Sequence, residues 1–230
     1  MATGTGAYHE QLAERKRAAI VDAATSLFMA HGYAGASLAR VAQDADVSKA
    51  TLFKQFPTKA SLFEAVVTQQ WDAADDDSTT PEPGDLARGL RVYGRRYAAL
   101  MSRPEMVGLY RMVIAEMPRF PQIADTQFET GKMPFFRVVQ RYLRAEHDAG
   151  TARVDDTLMA AANFLGMIGN YVFWPRLMVV GWDPTPAQVE NAVDEAVATT
   201  VARYGATQGR NLTPGRGRSP SRRPGQSALP

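Results

Sequence analysis

Apolar side chains recur along this chain at the three- and four-residue spacing of helix faces, and strand-like alternation is absent. Leu12, Ile20, Ala23, Ala24, Leu27 and Phe28 mark one face of a first helix, expected to open at Glu10 and close at Gly32. Ser37 then stands as N-cap of a short helix, "LARVAQDA", and Ser48 as N-cap of another, "KATLFKQF", with "DVS" as the tight turn between them. Pro57 stops that helix and Thr58 caps the next, "KASLFEAVVTQQWDAADDD". The polar, Pro-rich string "DDDSTTPEPGD" reads as a loop. Beyond it the helical period returns over about 85–102, 104–117, 120–130, 134–149, 155–180 and 186–204.

The pattern predicts an all-α protein with a three-helix head over 10–58 and a larger helical bundle over 59–205. Residues 1–9, rich in Gly, Thr and Ala, are expected to be disordered. So is the Arg-rich stretch 206–230, whose apolar content is too small to offset its ordering entropy by burial. No internal repeat is present.

Composition narrows the function classes. An apolar fraction of 45% over 230 residues is ample for a core. With no cysteine there are no disulfides, thiolate metal sites or cysteine nucleophiles, which suits a reducing cytoplasm. No run of eighteen apolar residues and no basic-then-apolar leader appears, so a cytoplasmic protein without a membrane span is expected. The net charge of +2 divides unevenly: residues 1–60 carry +2, 206–230 carry +5 and the middle carries −5. A polyanion would be attracted to the two ends and repelled by the middle.

The helices over 38–45 and 49–55, joined by "DVS", have the dimensions of a helix-turn-helix. Val41, Ala42, Val47, Leu52 and Phe56 supply its apolar contacts, and Asp46 falls where the turn needs a left-handed backbone. Lys49, Ala50, Thr51, Lys54 and Gln55 are then available to base edges: Lys for guanine, Gln for adenine, Ala and the Thr methyl for thymine. Ser37, Ser48, Thr58 and Lys59 are placed to meet phosphates, and Arg40 joins the same DNA-facing set. Short Ser-capped amphipathic helices are also common as plain surface elements, so spacing by itself leaves both readings open.

The stretch "SLARVAQDADVSKATLFKQFPTKASLFEAVV", with "IVDAATSLFMAHGYAGAS" before it, resembles the DNA-binding head of the tetracycline-repressor (TetR/AcrR) family. The resemblance covers roughly residues 12–70. Asp46 replaces the usual turn Gly, Phe53 replaces a Tyr whose hydroxyl commonly meets a phosphate, and Gln55 replaces a common aromatic. The family likeness implies a homodimer that binds double-stranded DNA and is controlled by a small effector in its C-terminal helices. The stretch "RYLRAEHDAGTARVDDTLMAAANFLGMIGNYVFWPRLMVVG" resembles the C-terminal domain of the AefR-like branch.

In the body, Asn163, Phe164, Met167, Asn170, Tyr171 and Trp174 form one broad stripe on the helix 155–180. Buried amides there must either pair across the core or face a cavity. Met106, Tyr110 and Phe128 are further candidates to line such a cavity, with Met101, Phe120, Phe135 and Phe136 behind them; core filling would use the same side chains. Pro175 should kink the helix near Tyr171. Val189, Val193, Ala196, Val197 and Thr200 on the last helix, with Leu177, suit either a dimer interface or packing within the chain; the family likeness favours the dimer.

Isolated His9, His31 and His147 show no metal-ligand spacing, and "DDD" at 75–77 has no spaced partner, so neither a metal nor a cofactor is expected. The sequence is expected to encode a one-component regulator rather than an enzyme, and a repressor released by a small, largely apolar effector. Control by a protein partner, or no control, is the alternative; an all-α enzyme acting on an apolar substrate is a distant one.

Overall fold

The computed structural model describes residues 3–72, 80–179 and 181–206. Its helices are α1 (Thr3–Gly35), α2 (Leu38–Asp44), α3 (Lys49–Gln55), α4 (Lys59–Asp72), α5 (Leu86–Met101), α6 (Pro104–Glu116), α7 (Pro121–Thr126), α8 (Met133–Asp148), α9 (Thr157–Val172), α10 (Trp174–Met178) and α11 (Pro186–Tyr204). A π-helical turn, Gln127–Lys132, joins α7 to α8. Among the described residues the only β-pairing is an isolated bridge between Ala152 and Gly205. The Arg-rich tail beyond Ala206 and the "DDD" string lie outside the described residues.

The head is organised by caps and a small apolar centre. Ser37 Oγ accepts from the Arg40 amide and Ser48 Oγ from the Thr51 amide. Each such cap contributes about 1 kcal/mol by satisfying an otherwise orphaned donor. Thr58 Oγ1 accepts from the Ser61 amide at 3.0 Å, starting α4 in the same way. Between α2 and α3 the chain reverses at Asp46, which adopts φ 51, while Val47 N donates to Ala42 O at 3.0 Å. Val41, Ala42, Leu52 and Phe56 are buried against Ile20, Ala24 and Phe28 of α1. Burial at this depth contributes about 1.5–3 kcal/mol per large apolar side chain.

Two boundaries differ from expectation. Helix α1 begins at Thr3, ahead of Glu10, because a helix nucleated by its apolar face extends at the low cost of propagation. Residues 3–9, expected to be disordered, are therefore helical. At its other end α1 bends at Gly32, whose φ of 74 is a conformation that side chains with a Cβ rarely adopt. The expected helix 155–180 is split at Phe173 into α9 and α10. Pro175 sits in the first turn of α10; its missing N–H and its clash with a carbonyl one turn earlier end α9 close to the predicted kink.

In the body, α5 lies against α8, α9 and α11. Gly94 marks the close crossing of α5 with α11: a Cβ there would stand 2.8 Å from Val193 Cγ1 and 3.2 Å from Ile168 and Phe164. That crossing decides the fate of the last helix. Val193, Ala196, Val197 and Thr200 are all buried inside the single chain, and Val189 packs against the same core. The assignment of Val193, Ala196, Val197 and Thr200 to a dimer interface is thus corrected: that stripe fits α11 into its own bundle. Leu177 is likewise packed against the chain's own core. Arg91 with Asp194 at 2.9 Å, and Arg95 with Glu190, fringe the α5–α11 contact and add little in water.

At the far end of the body the Glu146 carboxylate is fully buried. It is hydrogen-bonded by the Tyr142 and Thr151 hydroxyls and by the Gly84 amide at 3.2 Å, so the buried acid is satisfied. Burial, reinforced by the Glu146 carboxylate, pushes the Tyr142 phenol far above its usual range.

Candidate nucleic-acid interface and effector cavity

Leu52 alone of the α3 side chains is fully withdrawn into the head. Lys49, Ala50, Phe53 and Lys54 are exposed, and their i, i+1, i+4, i+5 spacing puts them on one outer face. Ser37, Arg40 and Lys49 border a shallow groove between α2 and α3, together with Gln43, which sequence reasoning did not select. Arg40 Nε is paired to Asp44 at 2.9 Å within α2 yet stays largely exposed. The Thr51 hydroxyl is taken by Ser48 Oγ at 2.9 Å, and Thr51 is half-buried. Phe53 is 49% exposed, a large apolar ring left in water on the face that also carries two ammonium groups.

Two expected DNA contacts, Thr58 and Lys59, have partners within the chain, and a third, Gln55, is turned aside. Gln55 is half-buried and lines a broad groove of about 800 Å³ between α1 and α4, beside Arg17 and Glu64. Its place at the C-terminal end of α3 turns it off the Lys49–Lys54 face. Lys59 Nζ donates to the Ala34 carbonyl at 3.0 Å and lies 4.8 Å from the Tyr33 ring centroid. Burial lowers the Lys59 pKa from its ordinary value, opposed by the nearby Glu116 carboxylate. Thr58 is exposed, but its hydroxyl is spent on Ser61. The groove between α1 and α4 is wide and carries Glu14, Arg17 and Glu64 on its walls.

Head and body meet where α1 ends. Tyr33 stacks on Phe28 at 5.6 Å, meets Phe63 edge-on at 5.6 Å, and meets Phe120 of the body at 5.2 Å. Glu116, closing α6, presses its carboxylate on Gly32, where a Cβ would lie 2.5 Å from Oε1. Gly108 of α6 lets Met29 Sδ come within 2.7 Å of where its own Cβ would be. Small residues at both places let α1 and α6 approach backbone to side chain.

A cavity of about 340 Å³ lies in the body between α5, α6, the π-turn, α8 and α9. Of the residues expected there, Tyr110, Phe128 and Trp174 line it, as do Met101 and Phe136. Met106 and Phe164 do not: both are fully buried in the core. Asn163 and Asn170 are exposed, on a face of α9 that the single chain leaves uncovered. The amides therefore avoid the desolvation cost that made a cavity their expected surroundings. Met167 and Tyr171 line a different groove, of about 480 Å³, between α9 and α11. Phe135 is core, and Phe120 belongs to the head–body contact.

Sequence reasoning missed Tyr97, Gln127, Lys132, Gly166, Gly169 and Phe173, all of which line the cavity. A signal was present in Phe128–Lys132–Phe136, one cation between two rings at four-residue spacing. Lys132 Nζ lies 5.1 Å from the Phe128 centroid and 4.7 Å from that of Phe136. Burial lowers its pKa from the usual lysine value. Burial also raises the phenols of Tyr97 and Tyr110 above their ordinary range, so both stay protonated donors. The Gln127 amide is near enough to the Tyr110 hydroxyl to pull its pKa back down in part. Yet neither amide atom has a hydrogen-bond partner of sound geometry among the described residues, although Gln127 is only 4% exposed. Among those residues no cluster of His, Asp or Glu could hold a metal, and no helix is long and apolar enough to cross a membrane.

Residues 20–66 match the family profile described as bacterial regulatory proteins, tetR family. Residues 88–206 match the AefR-like transcriptional repressor C-terminal domain. A solved TetR-family transcriptional regulator from Mesorhizobium loti is 27% identical, with a TM-score of 0.74 over 84% of this chain and 98% of its own. The Flavonoid-responsive Regulator FrrA is also 27% identical, with a TM-score of 0.69 over the same 84% and 98%. A TetR regulator from Agrobacterium tumefaciens, 23% identical at TM-score 0.69 over 84% and 95%, shares the fold. No curated protein sequence matches the chain.

Proposed function

Since this chain belongs to the TetR family of transcriptional regulators, with a helix-turn-helix DNA-binding domain and an AefR-like C-terminal domain, we propose that it is a cytoplasmic repressor acting as a homodimer on a near-palindromic operator and released by a small effector. The observation that carries the DNA half is the outer face of α3, where Lys49, Ala50 and Lys54 stand exposed on a helix anchored by Leu52. Lys49 and Lys54 would donate to guanine edges and Ala50 would pack on a thymine methyl. Exposed Ser37, Ser48 and Arg40 supply phosphate contacts at the two helix starts.

The dimer uses the uncovered faces of α9 and α11. Met159, Asn163 and Asn170 are exposed along α9, and Asn191, Glu195 and Thr199 along α11, with the α9–α11 groove between them. Met159, 55% exposed, is a large apolar side chain left in water on this face, which supports covering it by a second copy. The effector occupies the cavity that Tyr97, Tyr110 and Phe136 line. A pocket of this size with few polar groups fits a small, largely apolar molecule, and the flavonoid-responsive relative supports an aromatic one. Effector binding favours a dimer whose two heads no longer match the operator, so DNA affinity falls by a population shift.

Selection of bound fragments from a random DNA library, with and without cell extract, tests both halves. A near-palindrome with half-sites about 34–36 Å apart, depleted when extract is added, is the expected result. Recovery of no enriched sequence would overturn the operator reading; enrichment indifferent to every extract would overturn effector control.

A further inference from the structure

The cavity holds one cation and no anion among its described lining residues. Lys132 forms no ion pair among the described residues, although Arg137, one turn further on, is paired to Glu129. Two aromatic faces flank the Lys132 ammonium and satisfy none of its hydrogen bonds. Gln127, five residues earlier on the same π-turn, is buried with both amide atoms unpartnered. An α-helical path would put residues five apart on diverging faces; the wider π-turn brings Gln127 and Lys132 to one cavity wall. The protonated Tyr97 and Tyr110 hydroxyls add donors to the same lining, Tyr110 beside Gln127. Five aromatic rings besides Tyr97 complete the lining, so most of the wall is apolar.

A site of donors without acceptor charge, set in aromatic walls, is complementary to a molecule with the reverse character. We infer that the effector is a planar organic monoanion, an aromatic body bearing one carboxylate or phenolate, whose charge is taken by Lys132 and whose oxygens are hydrogen-bonded by Gln127. This rests on the cavity being the effector site. Lys132 brings the charge match, Gln127 the direction, and the rings the area; a neutral molecule of the same shape would leave the half-buried ammonium without an ionic partner.

The test is calorimetric titration of the full-length protein with isosteric pairs: naphthoate against naphthamide, and nitrophenolate against its methyl ether. Both anions should bind about tenfold or more tighter than their neutral partners, the gain of one charge-assisted hydrogen bond. Preference for naphthoate alone would assign a carboxylate, and for nitrophenolate alone a phenolate. In Lys132→Met the preference should vanish while the neutral probes keep their affinity, and Lys132→Arg should restore it. Equal binding of acid and amide, or a preference that survives Lys132→Met, would overturn the inference and leave the cavity an apolar effector site. Anion binding that depends on Lys132 but does not release operator DNA would keep the charge preference of the cavity and overturn its role as the effector site. If no probe of either kind binds, both fall.

Discussion

Lys59 Nζ and the Ala34 carbonyl are 3.0 Å apart, a hydrogen bond that ties the first residue of α4 to the final turn of α1. The same ammonium lies on the Tyr33 ring, and Tyr33 in turn touches Phe120 of the body. Lys59 therefore closes a helix end within the protein, and the start of α4 cannot move without disturbing the C-terminus of α1.

Lys59→Ala should lower the stability of the protein by about 1 kcal/mol, the low end for a half-exposed hydrogen bond to a charged donor. The midpoint of urea unfolding reads this directly. Operator affinity plotted against salt should keep its slope, since a side chain that contacts no phosphate releases no counterion. A slope reduced by about one would return Lys59 to the DNA.

Lys49→Ala combined with Lys54→Ala should weaken specific DNA binding by about 1–3 kcal/mol for each guanine left without its lysine donor, and relax sequence choice at those positions. Both side chains are exposed and make no contact that holds the head together, so the unfolding midpoint should not move. Fluorescence anisotropy on specific and scrambled duplexes measures the first, thermal unfolding the second.

Gly131→Ala should destabilise the body by about 1–3 kcal/mol. A Cβ there would stand 2.4 Å from Trp71 Nε1 and 2.9 Å from Val67 Cγ1, so α4 and the π-turn would have to separate. Trp71→Phe, smaller at that edge, should recover part of the stability. A double-mutant cycle on the unfolding free energies decides it.

If the proposed dimer pairs through this face of α9, Asn170→Arg should convert it to a monomer, measured by sedimentation, because like charges would face each other across a two-fold axis. Asn170 does not line the cavity, so probe binding to the monomer should persist. Retention of the dimer would move the interface away from this face of α9.

The head was legible because its signals are local. Ser37, Ser48 and Thr58 cap the helices they precede, Asp46 takes the left-handed turn, and Leu52 and Phe56 are buried as their spacing required. The body was legible as helices but not as faces. Val193 and Val197 form a real apolar stripe, yet a stripe does not say whether α5 of the same chain or a second copy covers it. Asn163 and Asn170 share a helical stripe with Phe164, Met167, Tyr171 and Trp174, which suggested burial; the packing of α9 leaves the amides outside instead. Lys132 was overlooked because a charged residue in an amphipathic stretch is normally assigned to water.

The π-turn has one more bearing on this chain, as an object of inheritance. A π-turn is an α-helix carrying a surplus residue, lodged here inside continuous helix rather than in a loop. Removing one residue between Gln127 and Lys132 would leave the helix unbroken but rotate all of α8 by about 100°, one α-helical step. Tyr142 and Glu146 would then turn away from Gly84, and Phe136 away from the cavity. A single-codon deletion at this place would be silent to any reading of helical content and would rewrite the interior of the body.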